Sequence, residues 1–281
     1  MNKKTFVGLT LLSLLLIAPL KMEASAFKFR IFGGGIYLQG GDLNSGLQGW
    51  TDYWKAYRNL QGYTQQTGSF NPVHFGLNVG GDVILQLSPH WGLGVGTEYI
   101  MATKSSVFAF QSLTKQINWN ILGKVQAVPA KLSVFYFMPV KDSLTIVIHA
   151  GAGYYSAKTR LESLTDVDPN MEYIIDASAQ GTGFHGGLGL ELKLSTGVHF
   201  FIEGVGRYAS LSGFKGKTSI TGDGSWDGKL YYWEATKSFI DNYGYIDLLV
   251  SPPTVPSVNF VREAKIDFSG LSLRAGIVVI L

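Results

Sequence analysis

The chain contains no cysteine. That absence excludes a disulfide scaffold, thiolate metal sites, a cysteine nucleophile and the usual lipoprotein anchor. Charge is scarce too: Asp, Glu, Lys and Arg make up 15% of the 281 residues, and the formal net charge is +3. So weak a balance leaves no electrostatic footprint for nucleic acid. Beyond the N-terminus, apolar stretches such as 83–87 and 277–281 are far too short for a transmembrane helix. No cluster of His, Asp and Glu has metal-ligand spacing, and no cofactor is expected. What the chain has in excess is glycine, 35 residues, beside 17 Phe, 14 Tyr and 6 Trp. With 46% hydrophobic residues it is not a disordered chain. Glycine and aromatics together suit a β protein whose strands need bulk on one face and little on the other.

Lys3 and Lys4 precede an apolar stretch from Phe6 to Pro19, and Ala24-Ser25-Ala26 supplies a small-x-small cleavage pattern. The expectation is a signal peptide over 1–26, with residues 27–281 as one exported domain. Read as an anchor, the same stretch is short for a bilayer core of about 30 Å. An exported membrane protein without spanning helices has one solution left, a closed barrel whose backbone groups satisfy one another.

Period-2 alternation runs through the exported part. In 73–88, Val73, Phe75, Leu77, Val79, Val83, Leu85 and Leu87 share one parity; His74, Asn78, Asp82 and Gln86 share the other. Similar alternation in 91–101, 144–155, 183–194 and 198–211 puts glycines beside Glu98, His149, His185, Glu191, Glu203 and Arg207. Eight strands are predicted: 28–39, 73–88, 91–102, 120–138, 144–157, 182–194, 199–212 and 263–280. Short turns then alternate with long connections at 40–72, 103–119, 158–181 and 213–262, the asymmetry of periplasmic turns and extracellular loops. The fourth strand's parity drifts at Pro129, where a bulge or broken ladder is expected. The last strand alternates Leu273, Ala275, Ile277, Val279 and Leu281 to the final residue.

The glycine-aromatic hairpins LGVGTEYI (93–100) and GLGLELKLSTGVHFFIEGVGRY (187–208) resemble the small bacterial outer-membrane β-barrel superfamily. It includes the OmpA transmembrane domain and the OmpX-like and OmpW-like proteins. The resemblance covers most of the exported chain. It implies an all-β, eight-stranded antiparallel barrel in the cell outer membrane, with outer-membrane lipids and the insertion machinery as partners. The terminal stripe resembles the insertion signal of such proteins, with Leu281 where Phe or Trp is usual. OmpW-like barrels are proposed to pass small hydrophobic molecules through an apolar external chamber.

Parity assigns Arg30, His74, Asn78, Asp82, Gln86, Glu98, His149, His185, Glu191, Lys193, Glu203, Arg207 and Arg274 to the lumen. They can form either a neutralised plug or a narrow polar passage gated by His149 and His185. In the first long loop, Trp50, Tyr53, Trp54 and Tyr57 gather on one helical face. In the last, Trp226, Tyr231, Tyr232 and Trp233 add to the aromatic set. These loops are read either as a self-packed cap or as a recognition surface for an apolar solute or surface ligand. Asp166–Asn170 and Asp223–Asp227 read as turns rather than calcium loops. The leading expectation is a narrow channel or passage for small solutes, hydrophobic ones included. The alternative is a non-transporting structural or adhesive barrel with a plugged lumen. A lipid-modifying enzyme is a minor alternative, since no His-x-Ser triplet occurs. A soluble calycin-like barrel would require an apolar interior, against Asp82, Glu98, Glu191 and Arg207.

Overall fold

The structure, a computed structural model, describes residues 26–166 and 171–281. The predicted signal segment up to Ser25, and residues 167–170 of the Asp166–Asn170 turn, lie outside the described residues. In chain order the elements are β1 (Ala26–Gly41), α1 (Asp42–Leu60), β2 (Thr64–Thr67), β3 (Phe75–Gln86), β4 (Trp91–Gln111) and β5 (Gln116–Lys141). Then follow β6 (Leu144–Thr165), β7 (Met171–Ser195), β8 (Val198–Tyr208), β9 (Ser210–Leu211) and β10 (Lys215–Ile220). The chain ends with β11 (Gly224–Lys237), β12 (Ile240–Leu249), β13 (Val258–Glu263) and β14 (Ile266–Ile280).

Eight strands close on themselves. Antiparallel pairing runs β1–β3–β4–β5–β6–β7–β8–β14, and β14 returns to β1 from Lys28↔Ile280 to Gly41↔Ile266. Closure satisfies every ladder and leaves no edge within the ring. Tight turns join β3 to β4, β5 to β6 and β7 to β8, where Gly197 takes a φ of 79°. Both described chain ends lie at this turn end.

The outward parity explains what the lower ring faces. Phe29, Ile31, Leu77, Val83, Leu93, Leu132, Ile148, Leu190, Ile202 and Leu273 are all exposed. Trp91 and Phe27 lie at the turn end of this band; Tyr37, Phe75, Tyr99, Tyr154, Phe184 and Tyr208 lie at its other end. On β6 the band runs from Leu144 to Tyr154, and about 9–11 tilted residues suffice to cross a bilayer. An exposed apolar belt edged by aromatic rings is the outer face of a transmembrane barrel.

Above Tyr99 and Tyr154 the strands continue, but the polarity of their two faces inverts. On β4, Ile100, Ala102, Phe108 and Phe110 are buried inside while Thr103 and Ser105 are exposed outside. On β6, Ala157 and Leu161 are buried while Lys158 points outward. The expected loops 103–119 and 158–181 are therefore mostly strand. Among the described residues only the tip at 112–115 and Asp166 interrupt β4–β5 and β6–β7. The expected strand ends at 102 and 157 mark where lipid gives way to water, not where pairing stops. At Pro129 the expectation is half corrected. The β4–β5 register passes from Thr97↔Ala130 to Ile100↔Ala127 without a shift, and Pro129 stays paired with Tyr155 on β6. The ladder to β4 lapses only where proline lacks an N–H.

The long connection 213–262 also folds into sheet. β10 lies along the top of β7 (Lys215↔Ser178), β11 pairs with β10, and β12 and β13 pair with β11. The raised wall encloses α1. Asp42 in its first turn and Arg58 in its last complement the helix dipole. Asp42 also accepts the Lys265 N–H at 2.8 Å and pairs with Arg262 at 2.5 Å. Glycines set the depth of the helix: a Cβ on Gly49 would stand 1.6 Å from the Gly244 oxygen, and one on Gly46 would stand 2.4 Å from Ile246.

Replacing the lipid-facing Leu190 by Arg is expected to destabilise the barrel by about 2–4 kcal/mol. Urea titration in lipid, followed by heat-modifiable gel migration, measures this; wild-type stability would contradict the placement of the belt.

Candidate functional site

The interior is built in layers. Nearest the turn end, Ile84, Phe135, Phe137 and Val147 form one apolar cluster and Phe32, Phe201 and Val278 another. Among and above them stand five cations, Lys28, Arg30, Lys131, Arg207 and Arg274, and four carboxylates, Asp82, Glu98, Glu191 and Glu203, all buried. Each carboxylate meets a cation. Glu191 takes Lys28 at 3.2 Å and His199 at 2.6 Å; Asp82 takes Lys131 at 3.3 Å and Arg30 at 3.9 Å. Glu98 takes Arg207 at 2.8 Å and Arg274 at 3.4 Å, and accepts an Asn78 amide hydrogen bond at 2.9 Å. Glu203 lies between Arg30 at 2.9 Å and His149 at 3.4 Å and also pairs with Arg274. Aromatic faces cover the cations: Arg30 lies 3.8 Å from the Phe201 centroid, Arg274 4.0 Å from Phe32 and Lys28 4.1 Å from Phe137.

Inward glycines make room for this network. The Gly96 position looks at Asp82, whose Oδ1 would lie 2.0 Å from an added Cβ, and Gly34 looks at Arg274, whose Cα would lie 2.7 Å away. Eight strands leave an interior just wide enough for side chains to fill. Every bulky group therefore needs a small neighbour on the adjoining strand.

Arg30, Asn78, Asp82, Glu98, His149, His185, Glu191, Glu203, Arg207 and Arg274 are all buried. His149 and His185 come together, ring centroids 5.9 Å apart, and His185 Nε2 lies 2.8 Å from Ser133 Oγ. Two residues are corrected. Lys193 is exposed beside the β7–β8 turn, where the ring ends. His74 precedes β3, is stacked on the outward Tyr37 at 5.0 Å and lies with Nδ1 2.7 Å from the Leu38 oxygen. Gln86 sits half-buried at the turn rim, donating to the Pro89 oxygen at 3.2 Å. Lys28 and Lys131 belong to the network without having been singled out; Lys28 shares the parity of Arg30, which was the available signal.

Over the charged layer lies an apolar one. Ile36, Leu38, Ile100 and Tyr155 from the wall pack with Leu43, Leu47 and Trp50 of α1. Trp50, Tyr53, Trp54 and Tyr57 do share a face, and it turns inward. Trp50 meets Tyr173 and Tyr245, Tyr53 meets Tyr243, Trp54 meets Trp119 and Tyr57 meets Phe239. Trp226 donates to the Leu248 oxygen at 2.9 Å, Trp233 packs on Tyr245 at 4.9 Å, and Tyr231 and Tyr232 are buried. A cavity of about 60 Å³ remains between α1 and the strand tips, lined by Trp54, Arg58, Phe110, Ile117, Trp119 and Tyr173 among others. Trp119, Phe110 and Arg58 were not among the expected recognition residues. Asp223 and Asp227 lie at the β10–β11 hairpin, and no metal-holding cluster occurs among the described residues.

No family model matches the chain, and no curated protein matches it in sequence. Among solved structures it is similar to the outer membrane protein OprG from Pseudomonas aeruginosa, with a TM-score of 0.38 and 10% identity over 93% of this chain and 98% of that one. It is also similar to Ail, the attachment invasion locus protein of Yersinia pestis, with a TM-score of 0.32 and 11% identity over 92% and 99%. Both neighbours are small outer-membrane β-barrel proteins. At these values neither carries the assignment, which rests on the closed ring and its lipid-facing belt. The chain is a transmembrane β-barrel of eight strands with a charge-filled lumen and a folded cap.

Two predictions follow the geometry of these layers. Glu203→Gln leaves Arg30 and Arg274 short of a counter-charge and is expected to cost about 3–5 kcal/mol in the same urea titration. In the cap, burial pushes the Asp247 carboxyl up to about 6, although hydrogen bonds from the Tyr173 hydroxyl and the Leu248 N–H act to lower it. Its folded value lies above its ordinary 3.8, so this group favours the folded cap most below that pH, and the benefit is lost as pH rises to about 6. Proteolysis of the cap should accelerate over that window, and Asp247→Asn should flatten the dependence; identical profiles for the two proteins would refute it.

Proposed function

We propose that the protein is a non-conducting outer-membrane barrel, an anchor that holds a rigid cap beyond the bilayer as a structural or adhesive surface. The observation that carries this reading is the continuous filling of the interior. Apolar clusters, nine paired charges and the α1 core follow one another along the axis. A hydrated path would have to pass between ions that already neutralise one another in a space with little room for water.

The same filling bears on the passage of hydrophobic solutes. An apolar chamber above the charges is the feature such a route needs, and here Leu43, Leu47 and Trp50 occupy that volume at 0%, 1% and 2% exposure. The reading therefore favours the plugged barrel over the narrow passage. Loop-end aromatics serve first to seat the helix, and only the outer surface of the cap is left for a ligand.

Planar-bilayer recording of the refolded protein tests this. No discrete openings are expected across voltage and pH, with folding confirmed beforehand by heat-modifiable migration. Reproducible single-channel steps from the folded wild type would overturn the proposal.

A further inference from the structure

Immediately above the outward tyrosines, the outer wall of β5, β6, β7, β10 and β11 becomes basic. Strand register sets Gln126, Lys158, Ser178, Lys215 and Lys229 side by side in one row. The next row holds Lys124, Arg160, Asp176, Lys217 and Asp227. Part of this charge is answered within the protein. Arg160 pairs with Asp176 at 2.7 Å and Lys229 with Glu263 at 2.7 Å. Lys124, Lys158 and Lys215 form no ion pair with any carboxylate among the described residues, and all three line one depression of about 310 Å³. Ser178 lies between Lys158 and Lys215 on the same outward row.

Asp176 and Arg160, which also line the depression, answer each other, so the charge of the three lysines is left uncompensated there and like charges gathered on one face repel. The depression therefore suits an anion from outside the chain. Its height says which kind. Tyr154 ends the apolar belt and donates to Gln180 Oε1 at 2.8 Å, and Lys158 is the second outward position beyond it. Tyrosine rings settle at the boundary between hydrocarbon and headgroups, so these ammonium groups stand at the depth of the lipid phosphates.

We propose that Lys124, Lys158 and Lys215 form a binding site for the phosphate of a lipid headgroup in the leaflet at the loop end. A phosphomonoester fits better than a phosphodiester, because it carries more charge and more acceptor oxygens for three ammonium donors. A zwitterionic headgroup would bring its own cation into an already basic depression. Acyl chains of the same lipid would lie along the belt below, beside Leu132, Ala152 and Tyr154. The site rests on the membrane-spanning reading of that belt and is independent of whether the lumen conducts.

The test uses the full barrel inserted into phosphatidylcholine vesicles with and without phosphatidic acid, the phosphomonoester lipid. Insertion is checked first by heat-modifiable migration, and lipid retained after mild detergent extraction is then counted per protein. Wild type is expected to retain phosphatidic acid in preference to phosphatidylcholine. K124Q/K158Q/K215Q should lose that preference by about fivefold per lysine removed. A control with the same charge change elsewhere, K141Q/K193Q/K237Q, should keep it. Equal retention by the two triple variants would overturn the site, and so would displacement of the lipid by an equal concentration of inorganic phosphate, which would make this an ion site. Failure of the wild type to insert would overturn the membrane placement and the lipid site with it.

Discussion

Neutralising charge inside a ring too narrow for bulk water is the constraint on which the rest of this structure depends. Five cations and four carboxylates share the interior, and an ion left alone there would cost several kcal/mol. The arrangement meets that demand three ways. Carboxylates such as Glu203 and Glu98 are shared between two arginines, so no single pairing has to be ideal. Phenylalanine faces close over Arg30 and Arg274 beside their carboxylate partners. Glycines on adjoining strands, Gly34 and Gly96 among them, keep the backbone close enough for the opposed groups to meet. Neither the glycine content nor the inward aromatics are separate features; both follow from charge placed in a closed eight-strand ring.

Much of this was legible because the lipid belt imposes a strict rule on one face of every strand. Leu93, Val95 and Tyr99 alternate with glycines and Glu98, and such a pattern allows only one side to be outside. Strand count, tight turns and most of the lumen list followed from that parity. The rule stops working where lipid ends. Beyond Tyr99, Phe108 and Phe110 point inward and serine and threonine outward, as in a water-soluble sheet, while the parity itself never changes. A reading tuned to apolar residues outside therefore ended β4 and β6 too early.

Other features were not legible for local reasons. Lys131 lies two residues beyond Pro129, and the expected break there obscured a parity that runs unshifted past Pro129. The face of α1 was correctly drawn from residues 50, 53, 54 and 57, but periodicity is silent on what such a face covers. Its depth depends on Gly49 against Gly244, residues far apart in the chain. His74 and Lys193 have lumen parity and still miss the lumen, because parity gives a side and not a height. One sits before its strand begins and the other beside a turn.

The cap also bears on how the molecule assembles. Asp42 at the start of α1 meets Arg262 across 220 residues of sequence, and the helix seats on β12, which belongs to the connection between β8 and β14. Contacts of such long range form slowly, because chain closure must come before they contribute. The helix has a complete seat only when β12 and Arg262, both in the connection between the seventh and last strands of the ring, are in place. A docked helix thus ties the start of the ring to its end, and a protein lacking β12 would present the tryptophan face of α1 unburied.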